Sequence, residues 1–318
     1  MKINFISYLD PLIHGGGGEQ IARKIIESGQ ARGHSFSRTH INPPKNDYDT
    51  NADINILWDV YNCPEFGVEF HGDFVKFITS DKRYVYATGG YEDVCILGTA
   101  PCNGDTDGIY CKVSKNHPTF GPGGIPRPHP TVCKVKERSY IIKGASFCIF
   151  FSELQRDLIE KLIGSKLESF VTVPPVEHLD SYYNKGLKRD IKLLSYGGHL
   201  EYKGFFNIME KYPTECPLFI GGGPQDLPLK YSYGKCLGKI PQEDMPSLLN
   251  RVEKFVHMPR WAEPYGLTTV QAALCGCEVI ENENSKVLSK GLDSALREIT
   301  KSRDCKGIWE SIEHYEYK

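Results

Sequence analysis

A proline pair, Pro174-Pro175, divides the chain into two runs of the same kind. On each side, short β-rich stretches alternate with stretches whose apolar residues recur at helical spacing. Strands separated by helices pair in parallel, because a parallel connection needs a long crossover, and the helices then cover the sheet. The first run reads as strands over Lys2–Ser7, Ser35–Ile41, Ile54–Trp58, Arg83–Thr88, Ser146–Phe151 and Ser169–Val173. Helices are expected over Glu19–Arg32, where Ile21, Ala22, Ile25 and Ile26 share a face, over Val135–Lys143, and over Glu153–Ile163 capped by Ser152. The second run gives strands Ile191–Tyr196, Pro217–Ile220, Lys254–Met258 and Glu278–Ile280. Its helices are expected over Gly204–Lys211, Gln242–Asn250, Gly266–Cys275 and Ser285–Thr300. The expected fold class is α/β, with two doubly wound Rossmann-like domains facing a cleft. The boundaries fall at 1–175 and 176–318, with a hinge over about 174–190.

A chain of 318 residues with 40% hydrophobic and 25% charged residues has enough apolar material for a core in each half, which excludes a disordered chain. Phe147–Phe151 is among the longest apolar runs and falls far short of the ~18 residues of a membrane helix, so no transmembrane segment is expected. Lys2–Ser7 lacks signal-peptide anatomy, and eleven cysteines are an odd number in a long chain; a cytoplasmic location is the expectation. Residues 91–133 form a Cys-, Gly- and Pro-rich stretch too long for an ordinary connection and read as a functional insertion. Cys95, Cys102, Cys111 and Cys133 lack any C-x2-C pair, so no metal site is expected there.

The net charge is −2, and a cut at Pro174 leaves 19 basic and 20 acidic residues on each side. Neither half carries the basic footprint of a nucleic-acid binder. The local exception runs from Lys112 to Lys143, where seven basic residues face only Glu137. It reads either as a solvated loop and helix face or as a landing patch for an anionic acceptor, with Lys134, Lys136 and Arg138 as the acceptor-side candidates.

Two motif groups point to chemistry. The first is His14-Gly15-Gly16-Gly17-Gly18-Glu19, between the first strand and the first helix. Glycines let backbone N–H groups approach a phosphate, and the helix start adds positive potential. It is not the dinucleotide fingerprint: Arg38, Thr39 and His40 stand where the ribose-binding acid would be. A Walker lysine is missing as well.

The second group is an ordered series: Gly197-Gly198-His199-Leu200-Glu201-Tyr202-Lys203-Gly204, Phe219-Ile220-Gly221-Gly222-Gly223-Pro224, Leu237-Gly238-Lys239-Ile240, Pro259-Arg260-Trp261-Ala262-Glu263-Pro264-Tyr265-Gly266-Leu267, and Val270-Gln271-Ala272-Ala273-Leu274-Cys275-Gly276. Together these resemble the C-terminal, donor-binding half of the retaining GT-B glycosyltransferases, the "group 1" family with bacterial and phage members. The Gly-rich loop, Arg32-Gly33-His34 and Pro174-Pro175-Val176 are similar to that family's opening and domain boundary; residues 42–145 are not.

The resemblance implies a GT-B architecture and transfer of a sugar from a nucleotide-sugar, with retention at the anomeric carbon. The nucleotide-sugar is a co-substrate, so no cofactor is implied, and no metal. By resemblance, Lys203 neutralises the departing diphosphate and Glu263 holds hydroxyls of the donor sugar. Gly266, Leu267 and Thr268 start the helix whose amides meet the phosphates, Ile240 lies against the base, and Gly15, Gly16 and Gly17 approach the diphosphate from the other domain. Gln271 stands where the family has a second acid; its amide can still bond ribose hydroxyls. Gly198 stands where the family has an arginine, and His199 or Arg260 can supply the missing charge. Gly89-Gly90-Tyr91 replaces the family's N-domain histidine region, which leaves the first domain without an assigned catalytic side chain.

The acceptor is open: glycan, lipid, small molecule or modified DNA. Lys203-Gly204-Phe205 and the short chain resemble phage enzymes that glycosylate modified bases. A protein that binds nucleotide-sugar without transferring it is the other alternative, motivated by Gln271 and Gly198.

Overall fold

The computed structural model describes the chain except residues 14–16, 41–50, 61–78, 81–82, 92, 96–101, 103, 105–118, 121–125, 128–132, 134, 177–178, 198–202, 222–233 and 317–318. It divides into two compact units: Met1–Lys112 with Pro130–Glu177 and Glu298–Lys318, and His178–Arg297 with Val113–His129. The passage from one to the other after Glu177 falls inside the expected hinge.

The first unit is built on a six-stranded sheet. Its strands are β1 (Lys2–Ser7), β2 (Ser35–His40), β3 (Ile54–Trp58), β4 (Tyr84–Ala87), β7 (Phe147–Phe150) and β8 (Ser169–Val171), in the order β2-β1-β3-β4-β7-β8. Every neighbouring pair is parallel. β3, β4 and β7 are buried along their whole length, which explains why, Asn55 apart, they are apolar throughout: a parallel sheet is covered on both faces. Helix α1 (Gly17–Ala31) turns Ala22, Ile25, Ile26 and Gly29 inward. Helix α2 (Val135–Lys143) and helix α3 (Glu153–Ile163) follow. Ser152 caps α3 as expected, its hydroxyl accepting from the Gln155 amide at 3.1 Å. Between these helices and β4 in sequence, a short antiparallel ribbon of β5 (Thr119–Phe120) and β6 (Pro126–Arg127) belongs to the second unit, and most of the expected insertion around it lies outside the described residues.

The second unit holds a five-stranded parallel sheet of β9 (Ile191–Tyr196), β10 (Leu218–Ile220), β11 (Lys235–Cys236), β12 (Val252–His257) and β13 (Glu278–Glu281), ordered β11-β10-β9-β12-β13. Adjacent residues of one strand serve opposite faces. Leu194, Ile220 and Phe255 join Met245, Leu249 and Ala272 on one side, where helices α5 (Met245–Leu249) and α6 (Leu267–Leu274) pack. Leu193, Phe219 and Val256 meet Phe205, Ile208 and Met209 of helix α4 (Phe205–Lys211) on the other. Both faces are covered, so the unit is doubly wound.

The C-terminus departs from expectation. In place of one helix over 285–300, the chain forms α7 (Leu292–Ser302) and α8 (Lys306–Glu316), and from Glu298 onward it belongs to the first unit. Trp309 of α8 is fully buried; its indole N–H donates to the Ile25 carbonyl at 3.2 Å, and its ring lies 5.0 Å from that of His34. Glu313 binds Arg32 at 2.7 Å and His34 at 3.0 Å. The second unit therefore ends at Arg297 rather than at the chain terminus.

Candidate functional site

Open α/β sheets bind ligands beyond the carboxyl ends of their strands, where the strand order reverses. In the second unit the chain runs outward from β9 through β10 to β11, then returns to lay β12 on the other side of β9. The reversal lies between β9 and β12. Lys203 follows β9, His257 is the last residue of β12, and Trp261 and Glu263 lie on the loop after it.

Two glycines bring Lys203 into this corner. Gly197 (φ +108°) carries the Lys203 stem directly on its backbone; a Cβ there would lie 2.4 Å from that of Lys203. Gly204 (φ +88°) lies against the end of β12, where a Cβ would fall 2.0 Å from the Met258 carbonyl oxygen. Both positions combine a left-handed backbone with close approach, which only glycine accepts without strain. The facing loop is fastened from β13. Asn282 and Asn284 donate to the Pro259 carbonyl at 2.8 and 3.1 Å, and the Glu263 amide donates to the Asn284 carbonyl at 2.8 Å.

Lys203 and Glu263, the two residues expected to carry the chemistry, meet. Lys203 Nζ lies 2.9 Å from Glu263 Oε2 and 3.2 Å from Oε1, with side-chain exposures of only 13% and 9%. Trp261 serves both: its indole N–H donates to Glu263 Oε2 at 2.8 Å, and its ring centroid lies 4.3 Å from Lys203 Nζ. The Tyr196 ring is 5.9 Å from the same ammonium. His257, buried, places Nε2 3.3 Å from Glu263 Oε2, off the direction of a good hydrogen bond; among the described residues neither ring nitrogen has a hydrogen-bond partner. Burial alone would raise the Glu263 pKa. The Lys203 charge and the His257 contact overcome it and hold the pKa at about 2. Glu263 is therefore a carboxylate at neutral pH, able to accept hydrogen bonds but not to donate a proton.

The other expected residues distribute as follows. Gln271 is buried on α6, one turn beyond Leu267. Gly266 caps α6 at φ −79°, while Leu267 and Thr268 are half-buried in its first turn. The Leu267 amide already donates to the Tyr265 carbonyl at 3.0 Å. Ile240 is partly exposed and packs on the core of the second unit, and Arg260 is half-buried beside Trp261 in sequence. Gly17 opens α1 at the surface of the first unit. Gly15, Gly16, Gly198, His199 and Lys134 lie outside the described residues.

The basic patch needs a correction. Lys136 is exposed, but Arg138 is buried (1% exposed) with one guanidinium nitrogen donating to the Cys95 carbonyl at 3.4 Å. Arg138 therefore offers no charge to solvent. Cys95, Cys102 and Cys133 are half-buried, and Cys111 is not described. Among the described residues no three His, Cys, Asp or Glu side chains cluster as metal ligands. The sequence itself holds two Asp-x-Asp triplets, Asp47-Tyr48-Asp49 and Asp105-Thr106-Asp107, both outside the described residues, so motif content alone does not argue against a metal.

Sequence reasoning missed His257 and Trp261 as partners of Glu263; Trp261 stands inside the quoted motif, two residues before the acid. It also missed Asp59 in the first unit. Asp59 follows β3 with φ +43° and is buried, accepting from the Thr88 hydroxyl at 2.6 Å and the Gly89 amide at 3.0 Å. The first sheet reverses its strand order between β1 and β3, so this acid occupies the corresponding corner there.

Solved structures share this arrangement of strands and helices. Sucrose-phosphate synthase from Thermosynechococcus elongatus matches 95% of this chain and 90% of its own, at 12% identity and a TM-score of 0.60. HepE from Anabaena, in complex with UDP and glucose, matches 91% and 82%, at 14% identity and a TM-score of 0.54. An alpha-glucosyltransferase in complex with UDP and a 13-mer DNA containing an HMU base matches 100% and 91%, at 10% identity and a TM-score of 0.52. The chain has the two-sheet α/β fold of the GT-B glycosyltransferases. No protein-family model and no curated protein matches it. Among the described residues no helix is long and apolar enough to cross a membrane.

Proposed function

We propose that this chain is a glycosyltransferase that moves a sugar from a nucleotide-sugar donor to a hydroxyl-bearing acceptor, with retention and without a metal. The observation that carries the reading is the meeting of Lys203 and Glu263 at the strand-order reversal of the second sheet. The reading gains support from the shared fold, since HepE has been seen with UDP-glucose and the DNA-bound alpha-glucosyltransferase with UDP.

The chemistry requires a diphosphate to leave while positive charge grows on the sugar. An ammonium has three donors and can bridge a carboxylate and a phosphate oxygen at once, so Lys203 neutralises the leaving group from its perch on Trp261. Glu263, ionised and accepting only, holds sugar hydroxyls and places negative charge beside the developing cation. Gln271 bonds the ribose, and the start of α6 lends its positive end to the phosphates.

A thermal-shift panel of nucleotide-sugars and nucleotide diphosphates tests this, because a ligand that binds the folded state raises the melting temperature. At least one diphosphate nucleotide should do so in the parent and not in Lys203→Ala. A panel without any shift would reject the reading. Turnover of the bound donor separates a transferase from a protein that only binds it. A DNA acceptor has the fold likeness in its favour but loses Arg138 from its contact set; salt-dependent binding of a duplex would be its signature.

A further inference from the structure

Trp261 touches both charged groups of the site with different parts of one ring. Its face lies 4.3 Å from Lys203 Nζ, and its N–H edge donates to Glu263 Oε2 at 2.8 Å. The ring is buried at 7% exposure, and its loop is anchored through Pro259 and Glu263 to Asn282 and Asn284 beyond β13. An ammonium and a carboxylate alone would fix only their mutual contact, since both side chains are long and flexible. An indole has only two rotatable bonds; its face attracts a cation and its N–H binds an anion.

We propose that Trp261 is the positioning residue that sets the spacing between the cation for the diphosphate and the carboxylate for the sugar. The inference rests on the nucleotide-sugar reading for what each group meets, but the geometry it describes belongs to the free protein. The N–H arm serves Glu263 and hence the sugar; the π face serves Lys203 and hence the diphosphate. The two arms can be removed one at a time. Trp261→Phe keeps an aromatic face and deletes the N–H, whereas Trp261→Leu deletes both.

Calorimetric titration with UDP and with UDP-glucose reads the two arms, with circular dichroism melts to confirm that each variant is folded. Trp261→Phe should bind UDP like the parent while losing about tenfold in affinity for UDP-glucose, as expected for one hydrogen bond to a charged group. Trp261→Leu should lose affinity for both. Equal losses for UDP and UDP-glucose in Trp261→Phe, or no loss for either, would overturn the proposal.

A ligand-free readout keeps the proposal separate from the nucleotide reading. The Trp261 indole N–H resonance, assigned by its disappearance in Trp261→Phe, should move when Glu263→Gln replaces the charged acceptor by a neutral one. An unmoved resonance refutes the positioning role whatever binds. A moved resonance in a protein that binds no member of the nucleotide and nucleotide-sugar panel supports the contact and counts against the nucleotide-sugar reading instead.

Discussion

Removing the lysine of a buried ion pair should leave a charge that the protein cannot hold. Lys203 and Glu263 lie 2.9 Å apart and are largely withdrawn from water. The Glu263 pKa, 4.5 ordinarily, is held at about 2. That difference corresponds to about 3 kcal/mol of stability, present above pH 4.5 and lost as the pH falls toward 2. Breaking a buried pair from one side costs about 3–5 kcal/mol, because it leaves an uncompensated charge out of water. Lys203→Met should therefore destabilise the second unit by about 3 kcal/mol at neutral pH.

The sign of the pH dependence then reverses. With the cation gone, burial, the largest influence on Glu263, is opposed only by the His257 contact and the Trp261 N–H, and the expected outcome is a folded-state pKa above the unfolded value. Stability is then greatest below the unfolded value and is lost as pH rises through the folded one. The deficit of Lys203→Met should thus shrink between about pH 7 and pH 5, where this group leaves the parent unchanged. Urea unfolding at both pH values measures it, and amide exchange over β9 and β12 assigns the loss to the second unit. A variant within about 0.5 kcal/mol of the parent at both would refute the argument, since it would mean that Glu263 keeps its charge without Lys203.

Three further outcomes are expected. Gly204→Ala forces a Cβ to 2.0 Å from the Met258 carbonyl oxygen at φ +88°, and should cost at least about 2 kcal/mol in thermal unfolding. Glu263→Gln should impair binding of a nucleotide-sugar more than binding of the bare diphosphate nucleotide, as read by calorimetry of both ligands. Gln271→Leu should weaken donor binding by about 1–3 kcal/mol through unpaired ribose hydroxyls; unchanged affinity would show that Gln271 does not touch the nucleotide.

The alternation of strands and helices was legible because buried parallel strands write continuous apolar runs: β7, Phe147–Phe150, lies inside the strand expected over Ser146–Phe151. Lys203 and Glu263 were legible only through their place in a series of motifs. Their actual contact required knowing that β9 and β12 are neighbours, which no local pattern states. For the same reason His257 and Trp261 went unrecognised: a histidine ending an apolar strand and a tryptophan near a proline look like core residues. The expected helix over 285–300 failed through local competition. Glu281 accepts from the Ser285 hydroxyl at 2.6 Å and the Leu288 amide at 3.2 Å, and Gly291 turns at φ +85° before α7 begins. The return of α8 to the first unit rests on Trp309 meeting Ile25 of α1 and Glu313 meeting His34 in the turn after α1, both nearly three hundred positions away. Arg138 shows the limit of charge counting, since a basic cluster in sequence does not say which members face water.

The central claim is that Lys203 and Glu263 form the working end of a sugar-transfer site. Release of nucleotide diphosphate from a panel of nucleotide-sugars, by the parent and by Lys203→Ala side by side, tests it most directly. The parent should turn over at least one donor, and the variant should lose about 2–4 kcal/mol of transition-state stabilisation, roughly a 30- to 1,000-fold fall in kcat/KM. Turnover that survives the loss of Lys203 undiminished would contradict it.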